Sequence, residues 1–195
     1  LIRRLNIFKL RANVTIQDCH DLCDVYVADT LPDNTHAFQD PRLPALGYRF
    51  YLPKNEKPNN VVSSDVYHDK RIDLGVPEGS PDIKPESDTI ANANLDYLNA
   101  VSWTKGCYVG QEVTAMTENR GAAKRRMLIV TGSGLTAGAP LTQGGQGVGE
   151  IRSVNSTGTK GLAVLKLAVL ETPSNPITQP DGVIISPYRP DWLDR

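Results

Sequence analysis

From residue 123 onward the chain alternates short β-type runs with glycine- or proline-rich turns, and that alternation restricts the fold more than any other feature. Met127-Leu128-Ile129-Val130, the run from Val148 to Val154, the run from Leu162 to Leu170 and Val183-Ile184-Ile185 are aliphatic and β-branched. No strong helical periodicity intervenes. Short strands with such turns predict a small antiparallel barrel over residues 122–195. Gln143-Gly144-Gly145-Gln146-Gly147 looks like a nucleotide loop only superficially. It lacks the Gly-Lys-Ser/Thr ending and lies between strands, so it reads as a hairpin turn. Lys124-Arg125-Arg126 reads as a solvated charge run opening the first strand, and the domain boundary is expected near Gly121.

Upstream the pattern is mixed, which makes the whole an α+β chain. Leu1, Leu5 and Phe8 share one face at helical spacing, with Arg3, Arg4, Lys9 and Arg11 elsewhere, so a structural helix is expected at the start. Val14-Thr15-Ile16 and Val25-Tyr26-Val27 are candidate strands of a hairpin, joined by a polar turn that holds Cys19, His20 and Cys23. A zinc reading of that turn fails on ligand count, because a structural site needs about four convergent ligands. Arg49 to Leu52 reads as a strand, and residues 53–65 as a polar, mobile surface insertion. Tyr67 to Ile72 has helical spacing and stops at Gly75. Gly75 to Ile83 is turn chemistry, and Asn94 to Leu98 begins a short helix.

Composition excludes several classes of function. The 21 basic side chains nearly balance 22 acidic ones, which argues against bulk attraction to nucleic acid or to acidic membrane surfaces. No apolar run approaches the roughly 20 residues that span a bilayer, so membrane insertion is not expected. With 39% hydrophobic residues the chain reads as an ordinary soluble globular protein of one or two domains. Its 3 widely spaced cysteines make no disulfide framework and fit a reducing compartment.

The densest segment for chemistry is Lys105-Gly106-Cys107-Tyr108-Val109-Gly110-Gln111-Glu112. Gly106 and Gly110 frame a Cys-Tyr-Val core and suggest a tight backbone entry into a helix over 110–117, with Gly121 just past its end. Cys107 would then stand at the helix N-terminus, where free amide N–H groups and Lys105 favour the thiolate. The alternative is that Cys107 is a small residue packed under Tyr108 and Val109. Gln111 and Glu112 fall in the first turn, where they can cap a free N–H. Arg49 and Arg71 flank the polar insertion, and either guanidinium could fork onto a ligand carboxylate or sit in an ordinary ion pair.

The octet resembles the signature of the folate-binding proteins related to the glycine-cleavage T-protein, in the branch that serves iron–sulfur cluster assembly, the Iba57/Caf17/YgfZ family. The blocks Pro41 to Arg49, Gly75 to Gly79, Asn94-Leu95-Asp96 and Lys124-Arg125-Arg126 resemble that branch's blocks in its order. The resemblance implies the C-terminal portion of a T-protein-like folate-binding domain over residues 1–121, followed by the family's C-terminal barrel. It implies a partial chain, with roughly half of the folate-binding region upstream. It further implies an accessory factor for 4Fe-4S protein maturation in the mitochondrial matrix, or alternatively the bacterial cytoplasm, working with A-type iron–sulfur carriers and ferredoxin. That is an assembly factor rather than a conventional enzyme. Tetrahydrofolate is the implied cofactor, with Arg49, Arg71 and Asp96 as its candidate contacts. Cys107 is the implied nucleophile or transient ligand of a cluster shared with a partner, supported by Lys105, Gln111 and Glu112 on the Gly106 and Gly110 backbone. A tetrahydrofolate-dependent aminomethyltransferase is the alternative activity, which lacks the cysteine octet in this form; a non-catalytic scaffold is a third. Two positions depart from the family pattern: Met116 stands where a basic residue is usual, and Asn92 where an acidic one is expected.

Overall fold

The computed structural model describes residues 1–33, 36–108, 111, 123–171 and 175–194. By its internal contacts the chain separates into two compact units, one formed by Leu1–Asp40 with Gly47–Val62, the other by Pro41–Leu46 with Ser63–Arg195.

The first unit holds helix α1 (Ile2–Phe8) and strands β1 (Cys23–Ala28), β2 (Ala37–Gln39) and β3 (Tyr48–Pro53). The helix forms as its spacing predicts, but Leu1, Leu5, Ile7 and Phe8 are all exposed. The expected hairpin between Val14–Ile16 and the strand near Val25 is not what forms. Residues 14–16 are not a strand, and β1 instead pairs antiparallel with β3 in a sheet of order β1-β3-β2. The reason is side-chain pairing across the sheet. Tyr26 lies directly opposite Phe50, and their rings stack with centroids 5.7 Å apart. Residues 54–63 form no helix or strand.

The second unit contains helix α2 (Ser64–Asp73), the one-turn helix α3 (Gly79–Asp82) and strands β4 (Arg125–Thr131), β5 (Pro140–Gln143), β6 (Gln146–Val154), β7 (Lys160–Lys166), β8 (Ile177–Thr178) and β9 (Ile184–Tyr188). The six strands close an antiparallel barrel in the order β4-β7-β6-β5-β8-β9, with β9 returning to β4. Gly144 and Gly145 make the two-residue turn between β5 and β6, both at positive φ (58° and 77°), the conformation of a primed hairpin turn. The Leu162 to Leu170 run does not stay extended: β7 ends at Lys166, and Leu167–Glu171 tightens into a 3₁₀ helix.

Continuous apolar runs mark β4 and β7 because both of their faces are covered. Leu128, Val130, Ala163 and Leu165 join Leu141, Ile151, Ile177 and Ile185 in the barrel interior, while Met127, Ile129, Leu162 and Val164 pack outside with Ile72 of α2. Ser63 caps α2, its Oγ accepting the Asp65 N–H at 3.2 Å. At the other end the Gly75 N–H reaches the Ile72 carbonyl and the Val76 N–H the Arg71 carbonyl, a Schellman closure in which Gly75 takes φ 74°. The segment Asn94 to Leu98, expected as a short helix, is a chain of turns with Asn94 at φ 57°. The Asn94 side chain, fully buried, donates to the Met127 carbonyl at 2.7 Å, a bond that a regular helix would not place there. Among the described residues no helix is long and apolar enough to cross a membrane.

Polar side chains of α2 bind it to the β6–β7 hairpin. Asp73 receives the Lys160 Nζ at 2.6 Å, and Asp69 accepts from the Ser156 N–H at 2.8 Å and from the Ser156 hydroxyl. The two Ser156 bonds hold the Asp69 carboxyl below its ordinary value. A depressed carboxyl contributes stability that is complete above its unfolded value, near 3.9, and is lost as the pH falls through the folded one. Asp69→Asn is therefore expected to flatten the acid limb of the thermal midpoint between about pH 5 and pH 3. Parallel acid limbs for the two proteins would show that the bond does not form in solution.

Candidate functional site

The described part of the octet is an exposed loop. Lys105, Gly106 and Cys107 are exposed, Tyr108 and Gln111 half-buried, and Cys107 is a free thiol. The packed alternative for Cys107 is therefore not the observed one. The Lys105 N–H donates to Ser102 Oγ at 3.3 Å, and its Nζ lies 4.6 Å from the centre of the Tyr108 ring, a cation–π contact. Gln111 donates its backbone N–H to the Tyr108 carbonyl at 3.1 Å while its Oε1 accepts the Tyr108 N–H at 3.3 Å. That reciprocal pair has the pattern of a capping box's return bond, so Gln111 shapes the turn after Cys107. A Cβ added at Gly106 would meet nothing within 4 Å, and its φ is not positive. Its lack of a side chain leaves the backbone beside Cys107 open. Gly110, Glu112, Met116, Gly121 and the helix expected over 110–117 lie outside the described residues.

The other candidates are engaged with the chain itself. Arg49 Nε donates to Asp40 Oδ2 at 2.8 Å in the first unit. In the second unit Asp96 receives Arg126 Nη1 on both oxygens, at 2.6 and 2.7 Å, with side chains only 6% and 11% exposed. Arg126 also donates to the Ala91 carbonyl at 2.9 Å and stacks 5.0 Å from the Tyr97 ring centre. The third residue of Lys124-Arg125-Arg126 is thus not solvated; it fastens residues 91–97 to the start of β4. Asn92 is half-buried, its N–H bonded to Thr89 Oγ1.

Arg71 is buried in a network that sequence reading did not anticipate. Its Nη1 donates to Asp82 Oδ2 at 2.5 Å and to the Val76 carbonyl at 3.2 Å, and its Nη2 donates to Ser153 Oγ at 3.2 Å and to His68 Nδ1 at 3.0 Å. Asp82, with no exposed surface, also accepts the Glu78 N–H at 2.8 Å and the Ser153 hydroxyl. His68 Nε2 stands 3.1 Å from the Val154 carbonyl. A carbonyl only accepts, so Nε2 carries the proton and Nδ1 is the acceptor for Arg71. Beside it, Arg152 has no Cα partner on β7 because the register shifts between Ile151 and Ser153. This bulge aims the guanidinium at Asp88, whose oxygens both lie 3.0 Å from Nη2. Arg71 and Ser153 are 82 residues apart and Arg152 and Asp88 are 64 apart, separations that leave no local pattern from which those two pairs could be read.

Comparison with known proteins places this geometry. The model of the CAF17 C-terminal β-barrel domain matches residues 124–195, the segment that closes the six-stranded barrel. The mouse mitochondrial iron–sulfur cluster assembly factor IBA57 is 30% identical over 219 residues, covering 98% of this chain and 60% of the relative. The human protein of that name is 32% identical over the same shares. Residues 124–195 carry the CAF17 C-terminal barrel, and 98% of the chain is similar to proteins named IBA57. A Mycosarcoma maydis homologue is 35% identical over 153 residues, 72% of this chain and 37% of its own length. The chain thus spans about 60% of the length of the mouse and human relatives. These relatives are named mitochondrial, which supports a mitochondrial location for this chain.

Proposed function

We propose that the chain is the part of an accessory factor for maturing 4Fe-4S proteins that presents Cys107 as a transient cluster ligand. The observation that carries this reading is a free, exposed thiol on a loop with an open backbone at Gly106. Relatives named as iron–sulfur cluster assembly factors support the same direction. One cysteine cannot hold a cluster, which takes about four ligands, so a partner supplies the rest. An A-type iron–sulfur carrier is the partner of fitting chemistry, with ferredoxin as the source of electrons. Shared ligation accounts for a single thiol standing on an open loop.

Tetrahydrofolate stands in this proposal as a ligand and not as a participant in any step. Arg49, Arg71 and Asp96 each pair with an opposite charge of the chain itself. Titration with tetrahydrofolate, followed by the fluorescence of the half-exposed Trp103, tests that ligand directly.

The experiment that decides the role of Cys107 is reconstitution with Cys107→Ser. Serine nearly keeps the size but replaces a soft thiolate with a hydroxyl that stays protonated and binds iron poorly. The protein, an A-type carrier, iron and sulfide are mixed under reduction, and the carrier's cluster is followed by visible absorbance and by activation of apo-aconitase. The expected result is a variant with the parental thermal midpoint that fails to deliver clusters. Delivery at the parental rate would refute ligation by Cys107.

A further inference from the structure

The turn before β1 carries the other two cysteines. Leu22 and Cys23 both donate their backbone N–H to the Cys19 carbonyl, at 2.9 and 3.3 Å, so residues 19–23 close one helical turn. Cys19 and Cys23 then stand at the two ends of one closed turn, with Cys23 opening β1. Cys23 Sγ turns back over the loop, 3.6 Å from the Cys19 carbonyl, and both thiols are free. His20 is not a third ligand: its Nδ1 lies 2.9 Å from Asp18 and its Nε2 3.0 Å from Asp21. Among the described residues no three metal-ligating side chains converge. The donor set is two sulfurs.

We propose that Cys19 and Cys23 form a two-coordinate thiolate site for a soft monovalent cation of the copper(I) class. Zinc needs about four ligands and is disfavoured here. A soft ion content with two thiolates is not. Binding one monovalent cation releases two protons, one from each thiol, and leaves a bis-thiolate complex of net charge −1. Asp18, Asp21 and Asp24 draw the cation to the turn. The Lys54 ammonium, 2.8 Å from the carboxylate of Asp24, the residue after Cys23, offsets the residual negative charge. The Lys54 N–H also donates to the Leu22 carbonyl at 3.0 Å, which fixes the end of β3 against the turn.

The test is an anaerobic titration of the reduced chain with copper(I) against the chelator bicinchoninate, followed by alkylation and peptide mass spectrometry. One ion per chain is expected to be retained, with Cys19 and Cys23 protected together and Cys107 alkylated as in the ion-free protein. Cys19→Ser and Cys23→Ser, checked for folding by circular dichroism, should each weaken retention by more than the about tenfold that loss of an outer-shell partner costs. Zinc in the same titration should not be retained. The proposal is overturned if the chelator strips all copper(I), if the retained ion protects Cys107 instead, if either serine variant retains copper(I) like the parent, or if zinc is held equally well.

Discussion

Asp82→Ala should destabilise the second unit by about 3–5 kcal/mol, the range for removing one partner of a buried ion pair. The carboxylate has no exposed surface and accepts from Arg71, from the Glu78 N–H and from Ser153. Its loss leaves a guanidinium, itself only 5% exposed, with three neutral acceptors and, as counter-charge, only the part-exposed Glu78 carboxylate at 3.8 Å. The double variant Arg71→Met with Asp82→Ala should recover part of the loss, because an apolar pair of similar volume avoids burying the unpaired charge. Urea unfolding of the three proteins measures both effects. A loss under about 1 kcal/mol in the single variant would mean that water reaches the network and satisfies Arg71.

Gly149→Ala is the second large effect, expected at about 3 kcal/mol, the upper end for overpacking a core. Gly149 lies opposite Leu165 on β7, and a Cβ there would sit 2.1 Å from the Val164 carbonyl oxygen and 3.0 Å from Leu165 Cα. Both are backbone atoms in the strand pair, so no rotamer change relieves the contact. The β6–β7 ladder must open. Gly134→Ala is not an equivalent control, because Gly134 has φ 78° and alanine would be strained there regardless of space. Gly147, with nothing within 4 Å and no positive φ, is the matched site, and Gly147→Ala should change the urea midpoint little. Equal midpoints for the two variants would show that β6 shifts to accommodate the methyl group.

Both effects arise where distant segments meet, and the same division separates what the chain reveals from what it hides. The barrel was legible because β4 and β7 are buried on both faces and so appear as unbroken apolar runs, and because Gly144-Gly145 marks its own turn. Strand β8 was not: two residues, Ile177 and Thr178, are too few for any periodicity and are extended only because β5 and β9 flank them. Helix α2 showed only its Tyr67 to Ile72 core, since the rest of its docking is polar, through Asp69 and Asp73. The octet was visible as a dense local motif, and the exposure of Cys107 was not, because a free cysteine packs or projects according to neighbours that composition does not name.

By itself the sequence determined the elements whose causes are local: the Tyr67 to Ile72 core and glycine stop of α2, the glycine hairpin, the apolar strands of the barrel and the crowding of Lys105, Cys107 and Gln111 into one loop. Only the tertiary structure decided which charges are neutralised. Arg71 read as a flank of the polar insertion and Arg126 as part of a solvated charge run, yet each is closed on a carboxylate, Asp82 at 11 residues' separation and Asp96 at 30. A charge buried away from water is tolerated only beside its counter-charge. Which carboxylate arrives there is set by how α3, the turns before β4 and the bulge at Arg152 pack together, and no short stretch of chain records that.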